Sequence, residues 1–164
     1  MKKIQTFFFS LCILLSGCYS FTGASLPTGI KSIAIPLATD NSGFGNATMR
    51  QQLTDQLIQK FTRDGSLQVR ERGVADALLD VTITSITDLP IGVGSSDQLT
   101  NKRVTITVEA TYRDQKKQKT FWDKSFQQTG DYPISQNLDG LNLALKNAED
   151  KLSNDLLLGV ISNW

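Results

Sequence analysis

Few residues of this 164-residue chain have the types and spacing that chemistry requires. There is no histidine, which removes the commonest general base, the serine and cysteine triads and nearly every catalytic zinc site. Two cysteines, Cys12 and Cys18, cannot make a zinc cluster. Gly43-Phe44-Gly45-Asn46-Ala47-Thr48 could in principle cradle a phosphate ahead of a helix, but the third glycine of such a turn is replaced by Thr48 and the loop is long. Asp76, Asp80 and Glu109 could pair for acid–base work, although their spacing places them as solvated charges on the outward face of a sheet. Lys102-Arg103, which opens a strand beside a glycine-rich loop, could hold phosphate or carboxylate oxygens. Lys116, Lys117 and Lys119 form a basic hairpin tip with a weaker claim to an anionic lipid or partner. Trp122 and Phe126 read first as sheet core. Seventeen basic against 16 acidic side chains leave no excess for displacing phosphate counterions, so nucleic-acid binding is not expected.

The N-terminus carries the sharpest pattern. Lys2 and Lys3 precede an apolar stretch from Ile4 to Leu15, too short to cross a bilayer but suited to a secretory signal. It ends in Leu15-Ser16-Gly17-Cys18, which resembles the bacterial lipobox: a thiol to take diacylglycerol, small residues for the peptidase, and cleavage that leaves Cys18 first. Position, spacing and the lack of an A-x-A site disfavour an ordinary signal peptide that merely contains a cysteine. Residues 1–17 are then removed, leaving 147 residues with 15 basic and 16 acidic side chains. Cys18 carries covalent acyl and diacylglycerol groups, no other cofactor is expected, and no disulfide can form. Tyr19, rather than Asp, after the cysteine favours the outer membrane.

Positioning these residues falls to a short list of elements. Residues 18–29 form the anchor and linker, and 30–164 a single domain without repeats or low-complexity sequence. Lys31 to Leu37 alternates as a strand. Asn46 is placed to cap a helix reaching about Arg63, with Met49, Leu53, Leu57, Ile58 and Phe61 on its apolar face and Gly65 at its end. Leu67 to Arg70 is a short strand or an extended lead-in. Ala75 to Asp88, Lys102 to Arg113 and Thr120 to Thr129 alternate as strands, the last two forming a hairpin about the turn Asp114 to Lys119, with Pro90 to Asn101 a loop. Asn137 caps a last helix with Leu138, Leu141, Leu145, Ala148, Leu152 and Leu156 inward. The expected fold is α+β: a two-layer sandwich with a mostly antiparallel sheet of about four strands, covered on one face by two helices. Thr82, Thr84, Thr105, Thr107 and Thr111 would line the uncovered face, which reads either as a solvated surface or as one packed against a hydrated wall.

Cys18 followed by Tyr19 to Ser25, Lys31 to Pro36, Asn101 to Val108, Ile134 to Leu138 and the terminal Asn163-Trp164 together resemble the LptE-type lipopolysaccharide-assembly lipoproteins, in the form found in Bacteroidetes. The resemblance implies a non-enzymatic subunit that plugs and helps assemble the LptD β-barrel and assists lipopolysaccharide delivery to the outer leaflet. It implies an outer-membrane location, lipid-anchored on the periplasmic side and inserted into the barrel lumen, with LptD and lipopolysaccharide as partners. Basic loop residues would carry lipid contact. The stretch from Asp131 to Gly140 has no Lys or Arg, which leaves Lys102 and Arg103 as carriers. The alternative is a lipoprotein accessory subunit of another envelope complex, of secretion or Tol type. Replacing Cys18 with Ala should abolish incorporation of a fatty acid analogue in metabolic labelling, since no other thiol remains in the processed chain.

Overall fold

The computed structural model describes residues 26–92 and 100–162. The signal segment, Cys18 and the adjoining Tyr19 to Ser25, most of the glycine-rich loop and Asn163-Trp164 lie outside these. The elements are β1 (Ser32–Ala34), β2 (Thr39–Asp40), α1 (Met49–Asp64), β3 (Gln68–Val69), β4 (Ala77–Ile91), β5 (Asn101–Asp114), β6 (Lys119–Pro133), a 3-10 turn (Ile134–Gln136) and α2 (Asn137–Ile161). One sheet runs in the order β3-β1-β4-β5-β6, with β2 beside β4. Strands β4, β5 and β6 are antiparallel throughout their length. The two-layer α+β architecture is the expected one, with two of its six strands only two residues long.

Alternation decides which face is covered. Val81, Ile83, Val104, Ile106, Val108, Ala110 and Tyr112 are buried beneath Leu53, Leu57 and Phe61 of α1 and Ala148, Leu152 and Leu156 of α2 in one continuous core. Trp122 and Phe126 pack against it, Tyr112 lying 4.8 Å from Phe121 and 5.8 Å from Trp122 by ring centroid. Helix α2 returns along β6 at very short range. A Cβ on Gly130 would collide with the backbone carbonyl of Ala144, and one on Gly140 would come within 2.7 Å of the Tyr132 ring.

Several boundaries differ from the sequence expectation, each for a physical reason. β1 stops at Ala34, because Pro36 has no N–H for a ladder, and Leu37 is 46% exposed. β1 lies parallel to β3 and β4, so α1 sits inside a parallel crossover within a sheet expected to be mostly antiparallel. Asn46 does not cap α1: its Oδ1 accepts from the Thr48 amide (3.2 Å) and hydroxyl (2.9 Å), a turn that precedes the helix. Asn137 is likewise the first helical residue, at φ 45°, behind the 3-10 turn. Leu138 is 72% exposed instead of buried, because the turn sets the helix phase. β4, β5 and β6 extend to Ile91, Asn101 and Pro133, into segments expected to be loop. A bulge between Ile83 and Ser85 makes Thr84 the extra residue, so the open face of β4 continues through Ser85 and Thr87.

The α1–α2 seam buries a carboxyl group. Glu149 is 2% exposed; it accepts one hydrogen bond from Gln56 Nε2 (3.3 Å), and its Oε1 has no protein partner. Burial pushes its pKa up from 4.5 to about 7. Between those values the folded chain holds a proton that the unfolded chain has lost, so stability falls as pH rises through that window. Glu149→Gln should flatten this dependence and stabilise the protein at pH 8 by roughly 2–3 kcal/mol. Urea melts at pH 5 and pH 8 check it: equal wild-type stability at the two values would refute the assignment.

Candidate functional site

The two neighbouring cations Lys102 and Arg103 stand at the same end of β5 but on opposite faces, as alternation requires. Register sets their partners. Lys102 faces Tyr132 across β6 and Pro90 across β4, on the helix-covered side. Its Nζ donates to Asp88 Oδ2 at 2.7 Å, and the Tyr132 hydroxyl donates to the same carboxylate at 2.9–3.0 Å. The hydrogen bond to Asp88 raises the Lys102 pKa. Burial first, then the bond to Asp88, raises that of Tyr132.

Arg103 pairs with Asp131 on the open face. Nε donates to Oδ1 at 2.6 Å and Nη2 to Oδ2 at 2.7 Å, a bidentate fork, and the pair is 45% and 47% exposed. The hydrogen bonds hold Asp131 below its ordinary range and lift Arg103 further. The stretch that lacks basic residues thus supplies an acid that orients Arg103. Asp88, Asp131 and Tyr132 were not singled out from sequence. Their only signal was hairpin register, which requires the turn lengths first.

At the far end of β5 lies the turn between β5 and β6. Asp114 Oδ1 accepts from the amides of Lys116 and Lys117 at 2.9 Å each, and Lys116 Nζ donates to Asp76 Oδ1 at 2.6 Å. Asp76 is no free carboxylate: its Oδ2 also accepts from the Lys31 amide, the Ser32 amide and the Ser32 hydroxyl, at 3.1, 3.1 and 2.8 Å. Lys116 foremost, then Ser32 and the Lys31 amide, hold its pKa well below the usual carboxylate range. Asp80 pairs with Arg113 at 3.0 Å, and Glu109 is exposed. These carboxylates hold strands together or face solvent, and none is set beside another for acid–base work. Among the described residues no group of three or more His, Cys, Asp or Glu could hold a metal. Three donors in and just after the glycine loop are already taken. The amides of Phe44, Thr48 and Met49 bond to Ser42 Oγ, Asn46 Oδ1 and the Asn46 carbonyl, leaving none of them for phosphate.

The open face is the largest surface with a consistent chemistry. Register puts Thr82, Ser85 and Thr87 of β4, Thr105, Thr107 and Thr111 of β5, and Ser125, Gln127 and Thr129 of β6 on the same side. Its charges are mostly paired, Arg103 with Asp131 and Arg113 with Asp80. Among the described residues no helix is long and apolar enough to cross a membrane.

The model of the LptE family, described as lipopolysaccharide-assembly, matches residues 30–158. The chain belongs to the LptE family. Its role is in lipopolysaccharide assembly. No curated protein matches the chain significantly in sequence. Solved structures share the LptE fold at low identity. A hypothetical protein, CT253, from Chlamydia trachomatis superposes with a TM-score of 0.59 at 6% identity, over 80% of this chain and 95% of that one. Uncharacterized lipoprotein B from Nitrosomonas europaea gives 0.59 at 12%, over 83% and 84%. Rare lipoprotein B from Shewanella oneidensis gives 0.54 at 10%, over 79% and 92%. At such identities these likenesses carry the fold alone. The LptE fold here is the arrangement that leaves the threonine face uncovered and sets Lys102 and Arg103 at one end of it.

Proposed function

We propose that this LptE-family chain is a non-enzymatic outer-membrane lipoprotein that plugs an LptD-type β-barrel and assists delivery of lipopolysaccharide to the outer leaflet. The open sheet face carries this reading. Hydroxyl and amide side chains along three long strands can trade hydrogen bonds with a hydrated barrel wall, whereas a densely charged face would be costly to desolvate. Length supports it too. Fourteen residues of β5 extend about 46 Å, enough to pass the roughly 30 Å hydrocarbon core. A plug anchored at its base therefore presents its far end near the opposite leaflet.

Arg103 is the proposed contact for an anionic group there, a lipid A phosphate or a carboxylate of the barrel. It lies on the open face, and Asp131 takes only Nε and Nη2, so Nη1 remains to bind a further oxygen. Lys102 is turned inward and committed to Asp88, so it supports the strand end rather than the ligand.

Affinity isolation of the full-length protein from detergent-solubilised membranes should retrieve a large β-barrel. Thr107→Lys should cut that recovery at least about tenfold with an unchanged melting temperature, because it sets an unpaired cation against the wall. Recovery of secretion or Tol-type components instead would favour the accessory-subunit reading. For the lipid contact, Arg103→Glu should weaken lipopolysaccharide binding and Asp131→Asn, which frees the guanidinium, should strengthen it. Equal binding by wild type and both variants would remove Arg103 from the site.

A further inference from the structure

The β5–β6 turn, some 36 Å along β5 from Arg103, sits beside the point where the chain enters the sheet. Asp76 makes the juxtaposition: one oxygen accepts from the Lys31 and Ser32 amides at the start of β1, the other from Lys116 Nζ in the turn. The Gln115 amide adds a bond to the Asp76 carbonyl at 2.8 Å. Lys31, Lys116, Lys117 and Lys119 are therefore gathered at one pole, all exposed. Among the described residues Lys31, Lys117 and Lys119 have no salt-bridge partner. Asp114, the nearest acid in the turn, is buried and occupied by backbone amides.

The same pole is where the chain arriving from Cys18 enters the sheet, and so lies toward the membrane if Cys18 is acylated, a reading on which this inference rests. Seven residues, 19–25, separate that cysteine from the described chain, and the eight steps from Cys18 to Leu26 span at most about 28 Å when extended. From these two observations we propose that the Lys116–Lys119 tip lies at the anionic phospholipid headgroup level of the leaflet that holds the anchor, and so sets the long axis of the sheet along the bilayer normal with Arg103 toward the opposite leaflet. Charge complementarity selects the occupant: cations near an anionic surface are attracted over a Debye length, and an acyl anchor keeps them within that range. The anchor supplies affinity and the tip supplies orientation. Of the two occupants their sequence left open, an anionic lipid or a partner, this assigns Lys116, Lys117 and Lys119 to the lipid, as bilayer phospholipid.

The test uses the full-length acylated protein, its N-terminal mass measured first. Thr120 is exposed at the start of β6, and Thr120→Cys introduces the sole free thiol of the processed chain, to be labelled with a small fluorophore. The protein is reconstituted into phosphatidylcholine vesicles with or without about 30 mol % phosphatidylglycerol, each carrying a headgroup quencher. Quenching should be at least about twofold greater in the anionic vesicles, and the excess should vanish in Lys117→Glu/Lys119→Glu and in about 0.5 M salt. Equal quenching in the two lipids, or in wild type and the double variant at matched melting temperature, would overturn the proposal. Quenching raised only by added lipopolysaccharide would also overturn it, by making the tip a lipopolysaccharide contact. A protein lacking acyl mass would overturn the anchor reading itself, whatever the vesicles showed.

Discussion

Everything in this molecule depends on how closely α2 lies on β6. At Gly130 the helix backbone at Ala144 occupies the space a Cβ would need. Gly140 is similarly tight against the Tyr132 ring, and Gly159 would place a Cβ 3.2 Å from the Phe126 ring. These three positions, along the length of the contact, let the helix settle onto the sheet with no side chain as spacer. Only then do Ala144, Ala148, Leu152 and Leu156 reach the apolar rows of β5 and β6 and exclude water from them. With that layer closed by α1 alongside, the sheet has one dry face, and its other face can stay polar without loss of stability.

The polar chemistry follows from the same division. At both ends of β5 a carboxylate ties strands that are distant in sequence. Asp88 joins Lys102 and Tyr132 across the far end, and Asp76 joins the start of β1 to the β5–β6 turn at the near end. At the Lys102 end Arg103 faces outward, forked on Asp131 with donor capacity left over. The protein is thus a long, mostly neutral plate with a basic base and one oriented guanidinium at its tip. That distribution suits a family described as lipopolysaccharide-assembly, whose cargo carries phosphates. The buried Glu149 stands apart from this logic. It lies between the helices, where burial alone moves its protonation, and it links the stability of the helical layer to pH.

Much of this was legible in the chain itself. Two-residue alternation through Val104, Ile106, Val108 and Ala110 and helical spacing through Leu145, Ala148, Leu152 and Leu156 determined the strands, the helices and their dry faces, because burial of apolar surface is periodic along any regular element. The same alternation placed Lys102 and Arg103 on opposite faces. Family resemblance, read from the order of short segments, agreed with the match over residues 30–158. Tertiary structure alone decided the parallel placement of β1 against β4, the bulge at Thr84, the outward turn of Leu138 and the partners of every charged residue named above. The reason is common to them: each depends on which residue comes opposite another across the sheet or the helix–sheet contact. That register is set by turns, bulges and close approaches such as Gly130, acting over separations no local pattern encodes. Arg103 could be recognised as a cation in a promising place; that Asp131 would hold and aim it required the hairpin to be folded.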